Sequence, residues 1–268
     1  MIMIMRIESL GAEPVEWFAY RTATGSGGIE EAQLPVYVGR MSTLPSSVDA
    51  LIVTSDLQGM MRTTDGNDVM LGEGLPDYLS LLIGIERSDL APDRVGVLLC
   101  GDLYGDLQRG GSGDPSGVWL KFGETFRWVV GVAGNHDLMD DAKKRQLSGR
   151  SNICPIDRPG IVEFGGAAWG GLGGVIGRPD KPNRMTEADY LQALRKLLNK
   201  QPHAMLLHQS PDVPERGCAG SPEIRAVLES GPEALVFCGH SHWDDPLACL
   251  PGGTQVLNVD AKVCIFIR

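Results

Sequence analysis

Five short polar clusters, each lying just past the end of an apolar run, constrain this 268-residue chain more than any other feature. Ser55-Asp56-Leu57-Gln58-Gly59 follows Ala50–Thr54, and Gly101-Asp102 follows Val95–Cys100. Asn135-His136-Asp137 follows the run Phe126–Val132, His208 follows His203–Leu207, and Gly239-His240-Ser241-His242 follows Leu235–Cys238. Short apolar runs bounded by turn residues read as buried strands. In α/β sheets ligands bind beyond the carboxyl ends of strands, because the backbone turns there and side chains from several loops converge on one crevice. The pattern therefore gathers four of the five histidines (His136, His208, His240 and His242) with Asp56, Asp102 and Asn135 at a single edge.

The segments between the runs supply helices. Tyr78–Ile85 and Leu138–Leu147 read as helical, as does Pro222–Leu228. Thr186-Glu187-Ala188-Asp189 resembles a capping box, with Leu191, Leu194, Leu197 and Leu198 following at helical spacing, which predicts a helix over about 187–199. Further strands are expected at Gln255–Val259 and Val263–Ile267, and Ile161–Phe164 opens a glycine-dense segment. Alternating strands and helices indicate an α/β layered architecture. With no repeat and no long linker, residues 1–268 read as one domain. Residues 1–48 form a less informative leader, with strand pieces at Met1–Ile7 and Pro35–Val38 around a flexible Thr24–Gly28. The glycine-dense Gly165–Gly174 matches no nucleotide-loop pattern and reads as a glycine-lined strand and turn near the site.

Charge narrows the partners. With 24 Lys plus Arg against 34 Asp plus Glu, the net charge of −10 excludes a basic nucleic-acid scaffold and disfavours anionic membranes. Phosphate chemistry remains open where metal ions supply positive charge locally. The six cysteines contain no C-x-x-C pair, which argues against a thiolate zinc site, and Cys100, Cys238 and Cys264 read as buried free thiols. No run approaches the ~18 apolar residues of a membrane span, and the amino terminus lacks a secretory signal, so the expected location is cytoplasmic.

Imidazole and carboxylate ligands suit divalent transition metals. His240 and His242, two apart in an extended loop, present both rings on one side. The ordered series D-L-Q-G (from Asp56), G-D-L-Y-G-D (from Gly101), G-N-H-D (from Gly134), a lone His208 after a strand, and G-H-S-H (from Gly239) resembles the calcineurin-like metallophosphoesterase family. The resemblance implies a four-layer fold, a sandwich of two mixed β-sheets flanked by α-helices, with a dinuclear metal site at one edge. It also implies that Asp56 and His242 bind the first metal, that Asp102 bridges both, and that Asn135, His208 and His240 complete the second. His136 would contact the phosphate and help the leaving group take a proton, while Asp137 would orient that imidazole. Such a site hydrolyses phosphoesters with a metal-activated hydroxide.

Two departures bear on the chemistry. Gln58 stands where the family has a histidine. It could ligate through its amide oxygen, a harder and weaker donor that shifts preference from Zn²⁺ towards Mn²⁺ or Mg²⁺ or leaves the first site labile. Two divalent ions are expected, Mn²⁺ favoured, with Fe, Zn, Mg and Ni as alternatives. The second departure is that Gly101–Asp106 and Asn135-His136-Asp137 lack the endings typical of the protein-phosphatase branch, which favours a small phosphorylated, nucleotide-like diester or monoester as substrate. The competing readings are a catalytically weakened binding module, with Gln58 marking a decayed site, and a nuclease, which the acidic charge disfavours. Arg62, Arg109, Trp169 and Arg178 are candidate substrate contacts, and His203, outside every motif, reads as structural.

Overall fold

The central strands of the chain are buried on both faces, and this is why their sequences are apolar runs without alternation. The computed structural model describes residues 5–63, 65–87 and 89–268. The chain opens with β1 (Ile7–Leu10), β2 (Glu16–Ala23), β3 (Ile29–Met41) and β4 (Ala50–Ser55), then a short hairpin, β5 (Met60–Arg62) and β6 (Asp68–Met70), and helix α1 (Leu71–Glu86). Next come β7 (Val95–Leu99), α2 (Ser116–Thr125), β8 (Trp128–Gly131), α3 (Asp141–Ser148) and β9 (Ile153–Pro155). The second half contains β10 (Gly160–Phe164), β11 (Ala167–Leu172), the pair β12 (Val175–Ile176) and β13 (Arg184–Met185), α4 (Glu187–Leu198) and β14 (Ala204–Gln209). It ends with α5 (Pro222–Ser230), β15 (Leu235–Gly239), β16 (Leu247–Cys249), β17 (Gln255–Asn258) and β18 (Lys262–Ile267).

The strands form two mixed sheets and the small β12–β13 pair. The larger has the order β6-β5-β2-β3-β18-β4-β7-β8-β9, with β1 also paired to β3, and the second has the order β10-β11-β14-β15-β17-β16. In the first, β4, β7, β8 and β9 run parallel while β18 lies antiparallel to β4. In the second, β11, β14, β15 and β17 run parallel. The carboxyl ends of both parallel sets carry the polar clusters.

One apolar cluster joins the sheets, with Leu51, Val53, Leu98 and Val130 of the first against Trp169, Leu206, Phe237 and Leu257 of the second. A second packs α1, α2 and α3 onto the other face of the large sheet through Leu75, Leu79, Trp119, Phe122 and Leu147. A third packs α4 and α5 onto the second sheet through Leu194, Leu198, Ile224 and Leu228. Each such aliphatic side chain contributes about 1.5–3 kcal/mol by leaving water.

Helix α4 starts as its sequence predicts, with Thr186 Oγ1 accepting from the Asp189 amide at 3.2 Å. Ser221 caps α5 in the same way on Ile224. Helix α1 begins seven residues before the expected Tyr78, because Gly72, Gly74 and Pro76 disguise its opening turns. Residues 1–4 of the expected strand Met1–Ile7 lie outside the described residues. The stretch expected as a leader is part of the large sheet: Thr24–Gly28 joins β2 to β3, and β3 pairs in parallel with β18, Val36 opposite Val263. All six cysteines are free among the described residues. No described helix is long and apolar enough to cross a membrane.

Candidate metal centre

The loops after β4, β7 and β8 come from one sheet, and His208 in β14 and His240 after β15 come from the other, so the site is where the two carboxyl edges meet. Three residues in these loops hold left-handed backbone: Asp56 (φ 55°), Asp102 (φ 50°) and His240 (φ 70°). For a residue with a Cβ this conformation costs about 1–2 kcal/mol. Three such residues at one edge mark a place where side-chain direction outranks local comfort. Close approach is also built into the glycines. A Cβ on Gly134 would collide with Asp102 Oδ1 and its amide, and one on Gly239 with Asp56 Oδ2 and Ser55 Oγ.

At the centre, ligand atoms of Asp102, His208 and His240 all lie within 4.8 Å of one another. His208 is fully buried, and its Nδ1 donates to the Cys100 carbonyl at 2.8 Å, which fixes the tautomer and aims Nε2 inward. That Nε2 lies 3.3 Å from Asp102 Oδ2 and has no hydrogen-bond partner among the described residues, and the buried Asn135 Oδ1 has none either. Two imidazoles and a carboxylate in one cluster, with a buried amide oxygen left without a partner on the loop after β8, are the kind of donor set a divalent ion satisfies. The residues present therefore fit a metal at Asp102, Asn135, His208 and His240.

The electrostatics agree. Burial works against a charged His208 ring, but Asp102 outweighs it and pushes the ring up to about 10. Burial would raise Asp102, yet the His208 charge and the His136 amide, which donates to Oδ1 at 2.8 Å, hold it below the usual carboxylate value. Burial and the neighbouring His208 charge take His240 down to about 4, which leaves its lone pair free at neutral pH. Asp56 is raised well above the usual range by burial, Asp260 and Asp102. Its Oδ2 accepts from Ser55 Oγ at 2.6 Å and from the His240 amide at 2.9 Å, so Asp56 ties the two sheets together.

The other expected residues divide. Gln58 reaches Asp102, but with Nε2 donating to Oδ2 at 3.1 Å, so its nitrogen and not its oxygen faces the centre. The ring of His242 is held apart from the trio, with Nδ1 3.5 Å from Asp260 Oδ1 and 3.4 Å from Lys262 Nζ. His136 is half-buried, and its Nδ1 meets the Gly111 carbonyl and Ser112 Oγ, both at 2.9 Å. The orientation of that ring by Asp137 is corrected: the Asp137 carboxylate accepts from the amides of Leu103, Tyr104 and Gly134, and so clamps the β7 and β8 loops together. Asn183 adds a second clamp, its amide donating to the carbonyls of Gly134 and Asp137.

Among the substrate candidates, Arg109 lines a cleft of about 130 Å³ with Gln58, Thr22, Asp106 and Gly111. Arg62 is exposed and donates to the Gly66 carbonyl within its own hairpin. Arg178 pairs with Asp180 at the surface. Trp169 is not available as a contact: its side chain is fully buried between the sheets, donates to the Phe164 carbonyl and packs 6.0 Å from Trp128. Its place in a run of small residues hid a core position.

The sequence reading passed over Ser112, Asp260 and Lys262. Asp260 follows Gln255–Val259, so the same strand-end rule that found the other clusters applies to it. Ser112 carries no local signal, because only the backbone path of the Gly110–Gly113 loop brings it to His136.

No curated protein matches the sequence. The sequence model described as calcineurin-like phosphoesterase matches residues 50–244, a span that holds every proposed ligand, and the chain belongs to that family.

Proposed function

We propose that the chain is a metal-dependent hydrolase of small phosphoesters, a nucleotide-like diester or monoester, built as a single four-layer domain. The observation that carries this reading is the convergence of Asp102, His208 and His240, with the unpartnered, buried Asn135 Oδ1 on the neighbouring loop. A divalent ion bound there supplies Lewis acidity to a phosphoryl oxygen and lowers the pKa of a water.

The chain's own residues do the rest. Asp102, Asn135, His208 and His240 hold the ion. The Cys100 carbonyl keeps the His208 Nδ1 proton in place so that Nε2 faces inward. His136 has its Nδ1 fixed by Gly111 and Ser112, which leaves Nε2 as the atom that exchanges a proton with the departing ester oxygen. Arg109, in the cleft that opens on Gln58, supplies positive charge for a substrate phosphate. The net charge of −10 disfavours long polyanions and so favours small substrates over nucleic acid.

The test is a screen of metal-stripped and Mn²⁺-loaded protein on a phosphomonoester, a phosphodiester, cyclic nucleotides, dinucleotide polyphosphates and short RNA and DNA. Hydrolysis of a small ester that needs the metal and disappears in His208→Ala is expected. Failure on every class in the presence of Mn²⁺, Mg²⁺ and Zn²⁺ overturns the proposal.

A further inference from the structure

The cleft beside the metal centre takes one wall from outside the family span. Thr22 and Thr24 of the β2–β3 hairpin line it, facing Gln58, Asp106, Gln108 and Arg109 of the loops after β4 and β7. The fold fixes the hairpin there. Strand β2 pairs with β5, Arg21 opposite Met60, and Thr22 Oγ1 donates to the Gln58 carbonyl at 3.0 Å. The packing leaves no slack: a Cβ on Gly59 would collide with the Tyr20 ring, and one on Gly105 with the Gly59 backbone. The family match covers residues 50–244, so a segment that the match leaves out stands against the candidate site.

Two contacts tie the cleft to the chemistry. Gln58, on one side, reaches Asp102 Oδ2 through its Nε2. Gly111, on the other, meets His136 Nδ1 with its carbonyl, and so helps to set the ring whose Nε2 meets the departing ester oxygen. The lining suits hydroxyl groups, which both donate and accept. Thr22 Oγ1 donates to Gln58 and keeps its lone pairs. Asp106 accepts from the Gln108 amide at 2.8 Å and the Tyr104 hydroxyl at 3.3 Å, which leaves its carboxylate further acceptor sites. The side chains of Gln108 and Arg109 add donors. Among the described residues no aromatic ring lines the cleft, so a nucleobase finds no stacking face there. A volume of about 130 Å³ admits only a compact group.

We propose that this cleft is the subsite of the departing alcohol, and that Thr22 of the N-terminal hairpin, with Asp106, selects a compact hydroxylated alcohol, a sugar or polyol. This rests on the phosphoesterase reading and names its substrate class. Hydrolysis joins a water oxygen to phosphorus and breaks the bond from phosphorus to the ester oxygen. The alcohol, now carrying a proton on that oxygen, is left in the cleft. Thr22 and Asp106 accept from its remaining hydroxyls, and Arg109 serves the phosphate.

The test compares the 5-phosphate of ribose, the 6-phosphate of sorbitol, phenyl phosphate and the methyl diesters of all three. The proteins are the Mn²⁺-loaded wild type, Thr22→Val and Asp106→Asn, variants that keep the shape of each side chain. In the wild type, KM for the ribose and sorbitol esters is expected about tenfold below that for the phenyl esters, the worth of one or two hydrogen bonds. Each variant should narrow that gap by raising KM for the hydroxylated esters, and the better of the two alcohols identifies the source. Binding is read without turnover by amide hydrogen exchange. Ribose 5-phosphate or sorbitol 6-phosphate should slow exchange across residues 22–28 and 106–112 of the wild type, and inorganic phosphate should not. Hydrolysis with no preference for the hydroxylated esters, or with a preference that both variants retain, overturns the inference and leaves the phosphoesterase reading standing. Protection without hydrolysis of any ester supports the subsite and overturns the phosphoesterase reading. Neither protection nor hydrolysis overturns both.

Discussion

Metal uptake should expel a proton, and the structure says from where and at what cost. In the metal-free protein His208 is held charged: burial disfavours that state, but the Asp102 carboxylate outweighs it and raises the ring to about 10. Its Nδ1 proton is committed to the Cys100 carbonyl, so the proton that leaves is the one on Nε2, the atom that must ligate. At pH 8 the ring lies about two pH units below its own pKa, and displacing the proton costs about 3 kcal/mol, or roughly a hundredfold in apparent affinity. Isothermal titration calorimetry of metal-free protein with Mn²⁺ at pH 8, in buffers of different ionisation enthalpy, measures the proton count directly. The observed enthalpy should depend on the buffer with a slope close to one proton released per ion, and affinity should rise about tenfold per pH unit between pH 7 and 9. Binding that is independent of buffer and pH would refute the assignment of His208 as a ligand.

The same proton governs the stability of the metal-free fold. Folded His208 keeps it up to about 10 whereas the unfolded ring releases it near 6.5, so the stabilisation is complete below about 6.5 and is lost as pH rises towards 10. Thermal melts of the metal-free protein should therefore fall across that window, and Mn²⁺ should reverse the fall. Gly134→Ala puts a methyl group into Asp102, so metal affinity should drop together with about 1–3 kcal/mol of stability, measured by calorimetry and urea unfolding. His136→Ala should lower kcat by about 10²–10⁴ with metal content unchanged, because its ring meets Gly111 and Ser112 and not the ligand trio. Trp169→Ala should cost about 3–5 kcal/mol in urea unfolding and leave KM of the folded fraction unaltered, as a core residue and not a substrate contact would.

The central strands, and with them the positions of Asp102, His208 and His240, were legible because buried parallel strands need uninterrupted apolar runs, and the turn after each run must be polar. Ala50–Ser55, Val95–Leu99 and Leu235–Gly239 are buried throughout, and Asp102 and His240, which follow two of these runs, lie together with His208. Helix α4 was legible for the complementary reason, with a cap and four leucines at helical spacing. Helix α2 and the β5–β6 hairpin were not: the residue before Ser116–Thr125 is Pro115, which offers no capping side chain, and the hairpin strands are three residues each. Partners of side chains were the least legible layer. Asp137 follows His136 directly, yet its carboxylate faces backbone amides, and the residues that touch the imidazole come from a loop 24 and 25 positions earlier. Lys262 in β18 of one sheet meets the His242 ring after β15 of the other, a contact that no local pattern encodes.

The most direct test of the metal centre is anomalous diffraction at the manganese edge from crystals of the wild-type chain soaked in Mn²⁺. The account predicts a strong peak enclosed by Asp102 Oδ, Asn135 Oδ1, His208 Nε2 and a ring nitrogen of His240. Manganese absent from that position, or found only at surface carboxylates elsewhere, would contradict it.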